Sequence, residues 1–152
     1  MIIVLQRVKE AVVEVKGKTA GKIGRGLCLL VGIERGDTEE EVVTLAQKAL
    51  ELRIFPDEKG KMNLSLQDIQ GEILVVSQFT LAGSTRKGRR PSFDKAEEPT
   101  RAESLFDRFV DYIRQKGILV ETGSFGAMME VHLTNDGPVT FILEKKKTEA
   151  GR

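Results

Sequence analysis

Ser77-Gln78-Phe79-Thr80 concentrates reactive groups: two hydroxyls and an amide stand directly behind the unbroken apolar run Ile73 to Val76. Such a run reads as a buried strand. Where a buried strand ends, side-chain hydroxyls, an amide and unpaired backbone N–H groups are presented together at the sheet's rim, where α/β proteins usually place their ligands. A second stretch, Thr134-Asn135-Asp136-Gly137-Pro138-Val139-Thr140, sets turn formers abruptly between two strand-like runs.

Missing residues limit the chemistry as much as those present. A hydroxyl nucleophile needs a base beside it, and the only histidine is His132, in the expected strand Met128 to Thr134. Nothing in the sequence brings it to Ser77 or Thr80, so it reads as a strand histidine without catalytic duty. Asp136 sits in a turn, where Asx side chains bond their own backbone. The sequence lacks a convincing set of metal ligands, so no metal is expected. The single cysteine, Cys28, excludes an intrachain disulfide and a CxxC site and reads as a small core residue. Gly21 to Gly26, GKIGRG, lacks the GK[ST] ending of a phosphate loop and reads as turns. What remains is backbone N–H groups, small hydroxyls and an amide, which stabilise an oxyanion but abstract protons poorly. Thr80 as a nucleophile is the alternative mechanism.

The elements that must position these groups follow from periodicity. Ile2 to Val8 and Ala11 to Lys16 are β-branched runs around polar Lys9-Glu10, giving two strands or one long bent strand. Leu27 to Ile33 is a buried strand. Thr38-x-x-Glu41 is a capping box opening a helix whose apolar face is Val42, Leu45, Ala46, Ala49 and Leu52; it should stop near Arg53, ahead of Pro56. Ala82 to Thr100 is a long polar surface loop. A second capping box, Thr100-x-x-Glu103, opens a helix with Ala102, Leu105, Phe106, Phe109 and Ile113 inward, ended by Gly117. Ile118 to Thr122, Met128 to Thr134 and Val139 to Glu144 are strands. The order predicts an α/β fold with mixed sheets and two helices, one domain over residues 1–144, and a charged, solvated tail over 145–152.

With 152 residues, 40% of them hydrophobic, the chain can bury a single core, and a formal charge of +1 provides no global basic field. RNA binding would have to rest on a local cluster such as Arg86, Lys87, Arg89 and Arg90, directly after the candidate site; otherwise that cluster is a solvated loop. The absence of a long apolar run and of a leader-like N-terminus points to the cytoplasm.

LQRV at Leu5 to Val8, RIFPDEKGKMN at Arg53 to Asn63, VVSQFTL, RPSF at Arg90 to Phe93 and NDGPVTF together resemble the D-aminoacyl-tRNA deacylases over nearly the whole chain, with only the tail after Glu144 added. The resemblance implies a three-layer α/β/β arrangement and a homodimer with its site at the subunit interface. It also implies an editing esterase acting without cofactor on aminoacylated tRNA. Backbone N–H groups around Phe79 and Thr80 would hold the scissile carbonyl while Ser77 and Gln78 orient the ribose and water, the substrate's own 2′-hydroxyl assisting. A cis Gly137-Pro138 bond would reach into the other subunit's site, grip the α-amino group and exclude an L side chain, letting glycine through. A β-carbon at position 137 is then expected to stand where the substrate's α-carbon approaches. Arg7 would hold this turn, and Phe125 and Met129 would wall the terminal adenine's pocket; without the resemblance, Arg7 is a strand-edge charge and the other two are core. Two other functions remain open: a non-enzymatic RNA-binding module built on the basic cluster, and a conventional Ser/Thr hydrolase of small esters.

Overall fold

The computed structural model describes residues 1–147; the last five residues of the expected tail lie outside the described residues. Strands β1 (Ile2–Val15), β2 (Lys18–Ile23) and β3 (Gly26–Gly32) precede helix α1 (Glu39–Glu51). A short ribbon of β4 (Phe55–Pro56) and β5 (Met62–Leu64) leads to β6 (Glu72–Ser77), a 3₁₀ turn over Phe79–Ala82 and helix α2 (Pro99–Arg114). Strands β7 (Val120–Thr122) and β8 (Glu130–Glu144) follow as the last elements among the described residues.

The main sheet is mixed. β3, β6 and β7 run parallel, joined by crossovers through α1 and α2, while β1 lies antiparallel to β2, β3 and β8. The apolar runs of β3 and β6 are explained by burial on both faces. Leu27, Leu29, Val31, Ile73 and Val75 face a large core under the two helices. Cys28, Leu74 and Val76 face a smaller core on the opposite side. Burial pushes the Cys28 thiol up to about 12, which leaves it a protonated, apolar core group.

Of the two readings of the N-terminal strands, the single bent strand is the one observed. Across exposed Lys9-Glu10 the register of β1 with β8 slips, and the set of residues facing inward changes with it. Ile3 and Leu5 enter the large core, whereas Val8, Ala11 and Val13 enter the small one. The sheet thereby curls into a barrel-like shape, bringing β2 back over β7: a Cβ on Gly21 would stand 2.8 Å from the Thr122 carbonyl oxygen. The second β layer is thus the far half of this same sheet rather than a separate one, because a single bent strand serves both halves.

Three local expectations change. Helix α2 begins at Pro99 with Glu98 as its cap, not at a Thr100 box, because proline's fixed φ suits the first helical position. The Glu98 carboxylate accepts from the N–H groups of Thr100 and Arg101 at 2.8 and 3.2 Å, which hold it below the usual carboxylate range. The two expected final strands form one, β8, with Asn135 to Val139 as an excursion: Val8 faces Asn135, yet Gln6 already faces Thr140. Lys145, at the expected start of the solvated tail, is pinned by backbone bonds to Met1 at 3.1 and 2.9 Å, while the Met1 amino group also meets Glu34 and Asp37.

The capping box of α1 forms as its sequence implies, with Thr38 and Glu41 bonding reciprocally. Burial pushes the Glu41 carboxyl up, but bonds from the Thr38 hydroxyl and backbone N–H outweigh it and leave Glu41 below its ordinary value. The stability supplied by its ionised form is therefore present above the unfolded pKa and lost as pH falls through the lower folded one. Thr38→Ala should lower the unfolding free energy by about 1 kcal/mol, measured by urea denaturation at neutral pH.

Candidate active site

β6 ends as a strand buried on both faces must, by delivering its first polar residues to the rim. Gln78 leaves the sheet with its N–H on the Val31 carbonyl at 2.8 Å, and the chain then winds into the 3₁₀ turn. Leu81 and Gly83 donate back to Gln78 and Thr80. Among the described residues no carbonyl or side chain accepts from the N–H groups of Phe79 or Thr80. They stand at the head of the turn as free donors. Gly32 makes this packing possible, since a Cβ there would lie 2.8 Å from Leu81 Cβ and 3.1 Å from the Gln78 carbonyl oxygen.

The turn forms one wall of a cleft of about 540 Å³. Ser77, Gln78, Phe79 and Thr80 line it together with Phe125 and Met129, so these six expected site residues converge. Phe125 is braced by Phe106 of α2, their ring centroids 5.9 Å apart. Met129 lies over Gly123, whose missing side chain leaves room for the sulfur. Phe79, 60% exposed, is steadied by Phe93 at 5.2 Å between centroids. Sequence reading missed Glu97, which also lines the cleft. Its carboxylate is already engaged, accepting from the Glu98 N–H at 2.8 Å and pairing with Arg101 at 3.2 Å. The signal for it lay only in its place just before a helix.

The remaining expected residues stand elsewhere in the chain. Arg7 is buried, and its guanidinium donates to the carbonyls of Asp136 and Ile54 at 2.9 and 2.7 Å, tying the β8 excursion to the segment ahead of β4. It is a brace rather than a strand-edge charge. Asp136 pairs with Arg7 at 3.6 Å, and the Asx role expected of it belongs to Asn135. The Asn135 Oδ1 accepts from the Val139 N–H at 2.6 Å, and its amide donates to Thr140 Oγ1 at 2.9 Å, spanning the excursion. The Gly137-Pro138 bond at its tip is cis, and neither residue lines the chain's own cleft. A Cβ on Gly137, at φ +144°, would first meet the turn's own Val139 Cγ2 at 2.6 Å, so alanine there would strain the turn before it reached any ligand.

Arg86 and Lys87 line a neighbouring depression; Arg89 and Arg90 are exposed beside it. His132 lies on β8 with its Nε2 3.8 and 3.6 Å from carboxylate oxygens of Glu14 and Glu130. These three present ligand atoms within 4.8 Å of one another, a grouping across strands that linear spacing did not reveal. None of them lines the cleft, so they add nothing to its chemistry.

An α/β fold that places free backbone donors, hydroxyls and an amide in a largely apolar cleft is suited to polarising an ester carbonyl. Comparison with known proteins gives the family. A family model described as D-Tyr-tRNA(Tyr) deacylase matches residues 4–144. The chain is 60% identical over 143 residues to a D-aminoacyl-tRNA deacylase of Geobacter sulfurreducens, covering 94% of each chain. It is 56% identical over 144 residues to one of Aquifex aeolicus, covering 95% of this chain and 97% of the other. Among solved structures, the c-Myc DNA unwinding element binding protein superposes with a TM-score of 0.91 at 44% identity, covering 97% of this chain and all of the other. A probable eukaryotic D-amino acid tRNA deacylase superposes at 0.81 with 21% identity over 93% and 97% of the two chains, a likeness of fold. The chain belongs to the D-aminoacyl-tRNA deacylase family of ester hydrolases.

Gly32→Ala should displace the 3₁₀ turn and reduce esterase activity by at least about tenfold while costing about 1–3 kcal/mol of stability, as overpacking does. Initial rates and thermal melts on the same preparation check it; full activity would mean that the turn need not sit this close to β3.

Proposed function

We propose that the chain hydrolyses the ester of D-aminoacyl-tRNA, with the N–H groups of Phe79 and Thr80 holding the scissile carbonyl oxygen. The observation that carries this reading is the pair of free donors at the head of the turn, in a cleft whose only carboxylate among the described residues is already bonded. Backbone donors fixed by the fold favour the charge that develops on the oxygen without reorganising. Ser77 and Gln78 orient the ribose and water, Phe125 and Met129 wall the terminal adenine, and the neighbouring 2′-hydroxyl supplies the proton handling that the protein lacks. The reaction takes place in the cytoplasm, where charged tRNA is used.

Thr80 as a nucleophile is disfavoured by a specific contact. The Gln78 amide donates to Thr80 Oγ1, drawing on the lone pairs that an attacking hydroxyl would use. Thr80→Ala should therefore keep activity within about tenfold of wild type, whereas a substrate ending in 2′-deoxyadenosine should be hydrolysed at least about a hundredfold more slowly, the usual span of positioned acid–base assistance. An inactive but folded Thr80→Ala, with an acyl group trapped on the wild-type protein, would make Thr80 the nucleophile.

Selectivity belongs to a dimer in this reading. The Gly137-Pro138 turn, braced by Arg7 and Asn135, enters the cleft of a second copy, meets the α-amino group with main-chain carbonyls and leaves no room for an L side chain, so glycine passes. The support is the surface around it: among the described residues β8 pairs only with β1, and next to the turn it exposes Phe141 by 40% and Ile142 by 70%. An apolar edge strand of this length is an association surface. Ile142→Glu should shift the chain from dimer to monomer in sedimentation and lower D-tyrosyl-tRNA hydrolysis in parallel. A monomeric wild type, fully active and selective for D over L, would overturn the shared site.

A further inference from the structure

Residues 93–97 run along two kinds of surface. Phe93 leans on Phe79 and the Ala96-Glu97 pair lines the candidate active cleft, while Asp94-Lys95 between them line two other depressions. The first, of about 330 Å³, is bounded by Arg86, Lys87 and the hydroxyl-bearing pair Ser84 and Ser92. The second, of about 350 Å³, is also lined by Arg35, Lys146 and Lys147. Lys95 lies on the wall common to both.

This arrangement is built, not a loose spray of side chains. Ser84 and Ser92 exchange backbone hydrogen bonds at 2.7 and 2.8 Å, closing the base of the basic loop. Arg35 N–H donates to the Lys95 carbonyl at 2.8 Å, and the Arg35 guanidinium to the Ala96 carbonyl at 3.2 Å, which fixes the wall between the depressions. The Met1–Lys145 backbone pair holds the chain that carries Lys146 and Lys147 to the same spot.

The charge is one-sided. Among the described residues, Arg86, Lys87 and Lys95 pair with no carboxylate, and Lys147 with none either. Lys146 meets only exposed Glu144, at 3.6 Å. Of the acidic groups on the lining, Glu34 and Asp37 are taken up by the Met1 amino group at 3.1 and 2.9 Å. Asp94, and the one negative charge left where two carboxylates share the single Met1 ammonium, are outnumbered by the cations of the row. A line of cations over two adjoining hollows, in a chain whose formal charge is only +1, fits a polyanion better than a single ion.

We infer that this line is a phosphate track for the single-stranded 3′ end of the tRNA, running from Arg86-Lys87 across Lys95 to Lys146-Lys147. It passes the active cleft at Lys95, because Asp94-Lys95 line both hollows and the following Ala96-Glu97 line the cleft. The inference rests on the deacylase reading for its occupant. It assigns a role to Lys95, which no sequence cluster marked, and to the first lysines of the C-terminal tail. Arg89 and Arg90, which line neither hollow, contribute less than their neighbours.

The test uses Lys95→Ala/Lys146→Ala/Lys147→Ala in the full chain, with Arg89→Ala/Arg90→Ala for comparison and melting temperatures to confirm folding. Binding of uncharged tRNA is measured against salt, and kcat/KM is measured on D-tyrosyl-tRNA and on D-tyrosyl-adenosine, which carries no phosphate. The triple variant should lower the slope of log affinity against log salt by about two, at about 0.7 per lost single-strand contact, and the tRNA-to-adenosine ratio of kcat/KM by on the order of tenfold. The comparison variant should change both less. Unchanged slope and ratio in the triple variant would overturn the track, as would inorganic phosphate binding that the triple substitution abolishes while tRNA binding stays intact, since the hollows would then hold a free anion. A wild type that binds tRNA with the expected slope but hydrolyses neither ester would refute the deacylase reading and leave the track standing.

Discussion

The structure depends on the burial of β3 and β6 on both faces. Two parallel strands with apolar side chains above and below cannot present polar groups along their length, so the first ones emerge together where β6 stops. Ser77 marks that point, with the large core beneath Val75 and the small core beneath Val76. The site's position is thus a consequence of core packing, and its precision comes from the close contact of Gly32 with Gln78 and Leu81. A core with only one face would leave the end of β6 free to tilt.

That logic explains why the cleft was legible in the sequence and the second half of the proposed site was less so. Ile73 to Thr80 carry their meaning locally: an apolar run, then hydroxyls and an amide. The Thr38–Glu41 cap is equally local, and it formed. Arg7 was harder, because its partners at Ile54 and Asp136 are brought to it by strand pairing and by the segment ahead of β4. The exchange of roles between Asn135 and Asp136 has the same origin: both are turn formers, and only the register of β8 on β1 decides which one spans the excursion. The start of α2 shows a local rule overriding another, since Pro99 supplied a better first residue than the box at Thr100 could.

The bend in β1 is the other feature that periodicity left open. Lys9-Glu10 looked like a break between strands, and the backbone instead carries on while the inward set changes. This bend closes the small core, and the same strand holds the β8 excursion through Arg7 and Gln6. Cleft and excursion are therefore attached to one strand system from different ends. In a chain with almost no net charge, the local concentration of cations beside the cleft is the feature on which the proposed phosphate track rests.

The central claim is that main-chain donors, not a side-chain nucleophile, act on the carbonyl. Amide chemical shifts on binding of a non-hydrolysable, amide-linked D-tyrosyl-adenosine test it most directly. The N–H signals of Phe79 and Thr80 should move downfield more than those elsewhere in the cleft, as free donors acquire an acceptor. If those two signals stay where they are while the analogue occupies the cleft, the carbonyl is held by other groups and catalysis by the main-chain donors of the 3₁₀ turn is contradicted.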